Sequence, residues 1–361
     1  MKLIPYSTPF ITKADELYIT TAIKSGWISG GDFVQEFESK ISELTKSSFC
    51  VATTNGTAAI ELAYLSLGLK PGDEVILPAF GFMAATNVAI NFGLIPVFAD
   101  VYMETWLLST QDVERKITPK TKAVVGIHTY GNVCSKSLSN ICKKNNIFYI
   151  EDCAEAFMSY IDGQPCGSYG DISIYSFHAT KTITTGEGGA ITTNNPEIYS
   201  RAKLIHSHGL QERGTYTHVL PGMNFRLSNI LASLGCSQLD RISDIVSKKY
   251  SIYRFYSELF ESTDLIVPQK IENNVEPVIW VFAFMTTMKS REFVTILKNT
   301  YSIEARPGFV SSTFLPYLST ASNPVADILS EHVVSLPSFY GIKNSEQIYI
   351  ANAVKEILKT C

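Results

Sequence analysis

Neither sign of charge dominates this 361-residue chain: 30 Lys and Arg face 34 Asp and Glu, and a net charge of −4 leaves no electrostatic footprint for nucleic acid. No apolar run reaches the roughly 18 residues that a membrane span needs, and the opening MKLIPYSTPF has one lysine but no continuous apolar stretch, so no membrane partner is expected and the cytoplasm is the expected compartment. The seven cysteines (Cys50, Cys134, Cys142, Cys153, Cys166, Cys236, Cys361) form no CxxC pair and no regular spacing, which argues against a disulfide framework and a zinc site. They are expected to be reduced and mostly buried. His206, His208, His218 and His332 have no metal-ligand grouping, so no metal is expected. No GxGxxG follows an early strand, which disfavours a Rossmann dehydrogenase, and no repeat or low-complexity segment occurs.

What remains is an ordinary globular composition, 45% hydrophobic and 18% charged, long enough for one large domain and a smaller one. The stretch DISIYSFHATKTITTGEGGAITTN, residues 171–194, stands out. Its first part alternates β-branched and aromatic residues and reads as a strand; a second apolar run, Ala190-Ile191-Thr192, follows a glycine-rich turn. Between them sits Lys181, with no run of charge around it. It reads either as a lysine on a hairpin loop or as a buried amine, which loses much of its preference for the charged form and becomes a nucleophile toward a carbonyl.

From the start, residues 13–25 read as a helix ending at Gly26, and 26–31 as a glycine-rich loop carrying Trp27. A second amphipathic helix has Phe33, Phe37, Ile41 and Leu44 on one face. Residues 50–53 read as a strand, and Thr54-Asn55-Gly56-Thr57 as a turn opening a helix over 58–67. Strand, small polar turn and helix start gather backbone N–H groups around a phosphate; the competing reading is that Thr57 merely caps the helix. Further strands are expected at 74–78, 95–100, 123–127 and 147–152, the last ending in Asp152 and followed by Cys153-Ala154-Glu155. Phe80 and Phe82, after the first of these, are either core or a flat apolar face for an aromatic ligand. Strands alternating with helices indicate an α/β fold with a mostly parallel sheet between helices, whose ligands sit at the strands' carboxyl ends. A long helical stretch is expected from residue 222 toward Tyr256. The domain boundary is placed at residue 244: 1–244 forms the large domain, and 245–361 a smaller α+β unit with a strand at 277–286, helices at 291–300 and from 344, and a Pro-containing loop to Pro324.

A lysine suited to a Schiff base, an aspartate at a strand end upstream of it, and a phosphate-ready helix start together meet the needs of pyridoxal 5′-phosphate (PLP). These residues, with His128-Thr129-Tyr130-Gly131 and Gly222-Met223-Asn224-Phe225-Arg226, resemble the DegT/DnrJ/EryC1/StrS family of sugar aminotransferases over nearly the whole chain. The resemblance implies a fold-type I PLP-dependent aminotransferase in which Lys181 holds the cofactor and shuttles the proton, Asp152 pairs with the ring nitrogen and Glu155 lies near the ring hydroxyl. By the same resemblance Phe82 stacks on the ring, and Gly56, Thr57 and Ser176 bind the phosphate with Asn224 of a second subunit, which implies a homodimer. L-glutamate would donate the amine to a nucleotide-linked keto-deoxy sugar destined for a cell-surface polysaccharide such as the lipopolysaccharide O-antigen. Residues 151–157 and 181–189 lean toward the branch that aminates C4 of a GDP-linked 4-keto-6-deoxy sugar, a dTDP-linked one being the neighbouring case. Trp27, His178, Arg226, Arg306 and Thr313 are the candidate substrate residues. Thr313 stands where the family usually has a histidine, and Met158 replaces a glycine often found after the acidic motif. The competing readings are a PLP-dependent sugar dehydratase, a transaminase of a small phosphorylated keto compound, and a non-catalytic PLP-binding regulator.

Overall fold

The computed structural model describes residues 3–212, 215–318 and 321–359. Cys361 lies outside them, as do two residues of the expected polar loop at 212–217 and two of the loop before Pro324; the six described cysteines are free and buried.

Among the described residues, nine strands lie in the first part of the chain: β1 (Phe49–Thr53), β2 (Glu74–Pro78), β3 (Ile95–Ala99), β4 (Thr121–Ile127), β5 (Phe148–Asp152), β6 (Tyr160–Ile161), β7 (Gln164–Pro165), β8 (Ile172–Ser176) and β9 (Gly189–Thr193). Seven of them form one sheet in the order β1-β9-β8-β5-β4-β2-β3. All pairings from β8 to β3 are parallel, whereas β9 runs antiparallel to both β1 and β8. The parallel strands are near-continuous apolar runs because helices cover both faces; Val75, Leu77, Val125, Ile150 and Ile174 enter one core, and Ile76, Val124 and Tyr149 another.

Five short strands follow: β10 (Val267–Pro268), β11 (Val275–Glu276), β12 (Ala283–Met285), β13 (Arg306–Pro307) and β14 (Val333–Ser335). Four of these make a second sheet, β10-β12-β14-β13, packed with the helices Ser290–Tyr301 and Asn344–Lys359 around Phe282, Phe284, Phe293 and Val354.

The expected long helix from residue 222 is two helices, Asn229–Asp240 and Ile242–Phe260, hinged at the non-helical Arg241 (φ −117°, ψ 25°). Residues 222–228 are extended instead: Thr54 N–H donates to Phe225 O, and Arg226 bridges Thr53. Position 244 falls in the first turn of the helix Ile242–Phe260. That helix begins in the core shared with Phe37 and Phe177, at Ile242 and Ile245, and ends in the C-terminal core, at Ile252, Tyr256 and Phe260. We propose that the two domains share it. The strand expected at 277–286 shrinks to β12, because the backbone before it is drawn off to the large sheet's side, Val278 N–H donating to Ser159 Oγ and Trp280 N–H to Tyr130 O. In the first helix (Lys13–Lys24) Ala22 is buried, whereas Leu17 and Ile23 are exposed.

Candidate active site

A cavity of about 820 Å³ opens at the carboxyl ends of the parallel strands. Three sequence-distant pieces meet there: the turn before the helix Gly56–Ser66, the end of β5, and the loop that leaves β8.

The helix starts two residues earlier than its apolar pattern suggests. Asn55, extended at the N-cap, accepts Ala58 N–H at 2.8 Å, so capping falls to Asn55 and leaves Thr57 exposed in the first turn. Gly56 and Ser176 face each other closely: a Cβ on Gly56 would lie 3.0 Å from Ser176 Cβ and 3.1 Å from its Oγ. Gly189, which begins β9, supports the turn from behind, where a Cβ would lie 2.5 Å from Asn55 O and 2.8 Å from Gly56 N.

Asp152 ends β5 with its side chain toward the cavity, and alternation sends Glu151 to the other face of the sheet. Burial pushes the Asp152 carboxyl up, opposed by the Ala154 N–H (3.1 Å) and by the charge of Lys181. Glu155 is likewise pushed up by burial, opposed first by Lys181; its Oε2 accepts Tyr130 N–H at 2.9 Å. Lys181 Nζ lies 3.5 Å from Glu155 Oε1 and 3.8 Å from the centroid of the Trp280 ring. Beneath this layer Glu151 and the fully buried His128 are joined at 3.1 Å, and Cys134 N–H donates to His128 Nδ1, which leaves the Nε2 proton for Glu151.

Of the other expected residues, Phe82 stands at the cavity mouth, 61% exposed, with its edge to Phe309. His178 lines the cavity beside Lys181, its Nδ1 3.1 Å from Thr180 Oγ1. Asn224 lines the cavity of its own chain. Arg226 stands next to it, Nε donating to Asn224 Oδ1 at 3.0 Å. Arg226 itself is not among the cavity's lining residues, and neither are three further candidates. Trp27 is 68% exposed; Arg306 lies over the Tyr6 ring; Thr313 sits in a turn after β13, its Oγ1 buried without a partner. Sequence reasoning missed Trp280 and Phe309, which complete the far wall. Phe309 stacks on Tyr130 (centroids 5.0 Å, 11° between planes). Their signal was faint: Trp280 lies in an apolar run and Phe309 in a Pro-Gly loop, with nothing to show that either faces a ligand.

The residues fit PLP. The cavity offers an amine, a buried carboxylate that forms no ion pair among the described residues, and a glycine turn at a helix start whose missing Cβ leaves room opposite Ser176. Fold and site together define a PLP-dependent aminotransferase of fold type I.

More narrowly, residues 9–355 match the DegT/DnrJ/EryC1/StrS aminotransferase family, and the chain belongs to it. It is 37% identical over 361 residues to the GDP-perosamine synthase of Escherichia coli O157:H7, covering 99% of each chain. It is 32% identical over 366 residues to that of Vibrio cholerae, covering 98% of each. Among solved structures it resembles the PLP form of the putative sugar aminotransferase Spr1654 from Streptococcus pneumoniae, with a TM-score of 0.94 and 28% identity over 99% of both chains. No described helix is long and apolar enough to cross a membrane.

Proposed function

We propose that this enzyme moves the amino group of L-glutamate to C4 of a nucleotide-linked 4-keto-6-deoxy sugar, GDP-linked by preference, releasing 2-oxoglutarate and an amino sugar for a cell-surface polysaccharide. The observation that carries it is Lys181 placed 3.5 Å from Glu155 in the cavity that Asp152 also lines. PLP, when bound, supplies an electron sink for the carbon that loses or gains the amine.

The chain's own residues do the rest. Lys181 Nζ holds the cofactor and then takes the proton from the donor's α-carbon; on the return leg it delivers a proton to the sugar carbon. Asp152, ionised only at a cost in its buried position, finds in the ring nitrogen a cation that repays it and keeps that nitrogen protonated. Glu155 holds Lys181 on one side and would lie near the ring hydroxyl. Gly56, Thr57 and Ser176 would hold the phosphate with Asn224, and Phe82, at the cavity mouth, would lie against the ring. His178 lines the cavity that a sugar would enter, and Arg226 holds Asn224 beside it. Trp27, Arg306 and Thr313 reach substrate only if a second subunit or closure carries them there. We place the enzyme in the cytoplasm as a homodimer, a reading supported by the exposed apolar side chains of Leu17, Ile23, Trp27 and Ile28.

The test is a panel of GDP- and dTDP-linked 4-keto and 3-keto sugars with glutamate, products identified by mass. Equal yields of 2-oxoglutarate and a 4-amino sugar are expected. Loss of a hydroxyl without amination would make the protein a dehydratase, and cofactor binding without turnover of any sugar or small phosphorylated ketone would make it a regulator.

A further inference from the structure

The helix Ile242–Phe260 carries a lysine at the point where it passes from one core to the other. Lys249 is only 5% exposed, and its Nζ donates to two backbone carbonyls, Trp280 O and Ser338 O, each at 2.8 Å. A buried lysine normally has a carboxylate partner; among the described residues none forms an ion pair with this one. Burial, and secondarily the charge of Lys181, pull its ammonium down to about 7.

The carbonyl it grips belongs to the residue whose ring lies against Lys181. Trp280 is held at three points: its N–H donates to Tyr130 O at 3.0 Å, its carbonyl accepts from Lys249, and its indole Nε1 donates to Thr180 O at 2.6 Å. Lys181 and Lys249 also line one small chamber of about 30 Å³, with Thr180, Thr182, Thr184 and Tyr340 around it. A polar chamber of that size holds about one or two waters. The titratable groups facing Lys249 there are Lys181 and Tyr340. From the neighbouring helix comes the uncharged Gln238, beyond which Asp15 is already paired with Arg241 at 2.6 Å.

We propose that Lys249 is a positioning residue for the transamination: it fixes Trp280 against the amine of Lys181, and through the shared chamber its protonation is felt at the cofactor. This rests on the PLP reading above. Its ammonium is repelled by the charge of Lys181 and its neutral form is not, so Lys249 couples the site to pH near neutrality.

The experiment titrates the visible absorption band of the PLP-loaded enzyme with pH in wild type, K249R and K249M, alongside the rate of the glutamate half-reaction. Wild type is expected to show an inflection near pH 7. K249R keeps a donor for both carbonyls but holds a fixed charge, so the inflection disappears while the fold and loading survive. K249M loses the inflection too, and slows the half-reaction on the order of tenfold as Trp280 loosens. A wild-type titration without that inflection overturns the proposal, as does K249R with a wild-type profile, which would make Lys249 a structural staple only. If K249M does not fold, K249R alone decides. Absence of any cofactor band in wild type would instead sink the PLP reading itself.

Discussion

Asp152 illustrates how a residue that serves the reaction weakens the empty protein. Its carboxyl, like that of Glu155, is raised by burial. A carboxyl raised on folding contributes stability below the ordinary carboxylate range, and that contribution is lost as pH rises through its folded value. Cofactor-free D152N should therefore melt at or above the wild-type temperature at neutral pH, while its transamination rate falls by about two orders of magnitude or more. Calorimetry of the apo proteins checks the first; a lower melting temperature for D152N would contradict the assigned cost. Met158 is the second instructive residue. The sequence marks it as a departure from the family's glycine, and its φ of +72° gives the reason glycine is usual there. Its side chain packs against Phe157 and its neighbours in the core, so glycine gains conformational ease and loses burial. The clean comparison is with alanine: M158G should be more stable than M158A by about 1 kcal/mol in urea unfolding. Equal stabilities would mean that the left-handed backbone carries no strain.

Among the elements, the β8–loop–β9 unit is what the local sequence specifies best. Alternation announced β8, and the glycines after Lys181 announced the turn. Gly189 shows why the second strand must begin without a side chain: it lies against the backbone of Asn55 and Gly56, a fixed neighbour that cannot give way. G189A should displace the turn that opens the helix Gly56–Ser66, cost roughly 1–3 kcal/mol, and weaken PLP binding more than tenfold. Fluorescence titration with PLP measures this, and unchanged affinity would remove the turn from the cofactor site. Less legible was anything that depends on distant chain. Asn55 and Thr57 both suit a helix start, and only the backbone geometry decides that Asn55 caps it. The break at Arg241 carries neither proline nor glycine to announce it. Trp280 sits in an apolar run that periodicity reads as a strand, although its backbone bonds are claimed by Tyr130 and Lys249.

At the level of the molecule, the large sheet was foreseeable because five strand–helix alternations leave few arrangements, and the parallel order follows from right-handed crossovers. The antiparallel β9 departs from that pattern because it returns directly from β8 through the glycine turn. The small sheet was harder to foresee: strands of two or three residues have no period to detect. Trp280 and Phe309 pack against the core under the large sheet and wall the cavity, where the Trp280 ring lies against the amine of Lys181. Everything proposed for the reaction passes through that one amine. The decisive measurement is therefore borohydride reduction of the PLP-loaded enzyme followed by peptide mass mapping. The pyridoxyl group should be found on Lys181 and be absent from the K181A variant. Its appearance on Lys249 or another lysine, or a loaded wild-type enzyme that borohydride fails to label, would contradict the assignment.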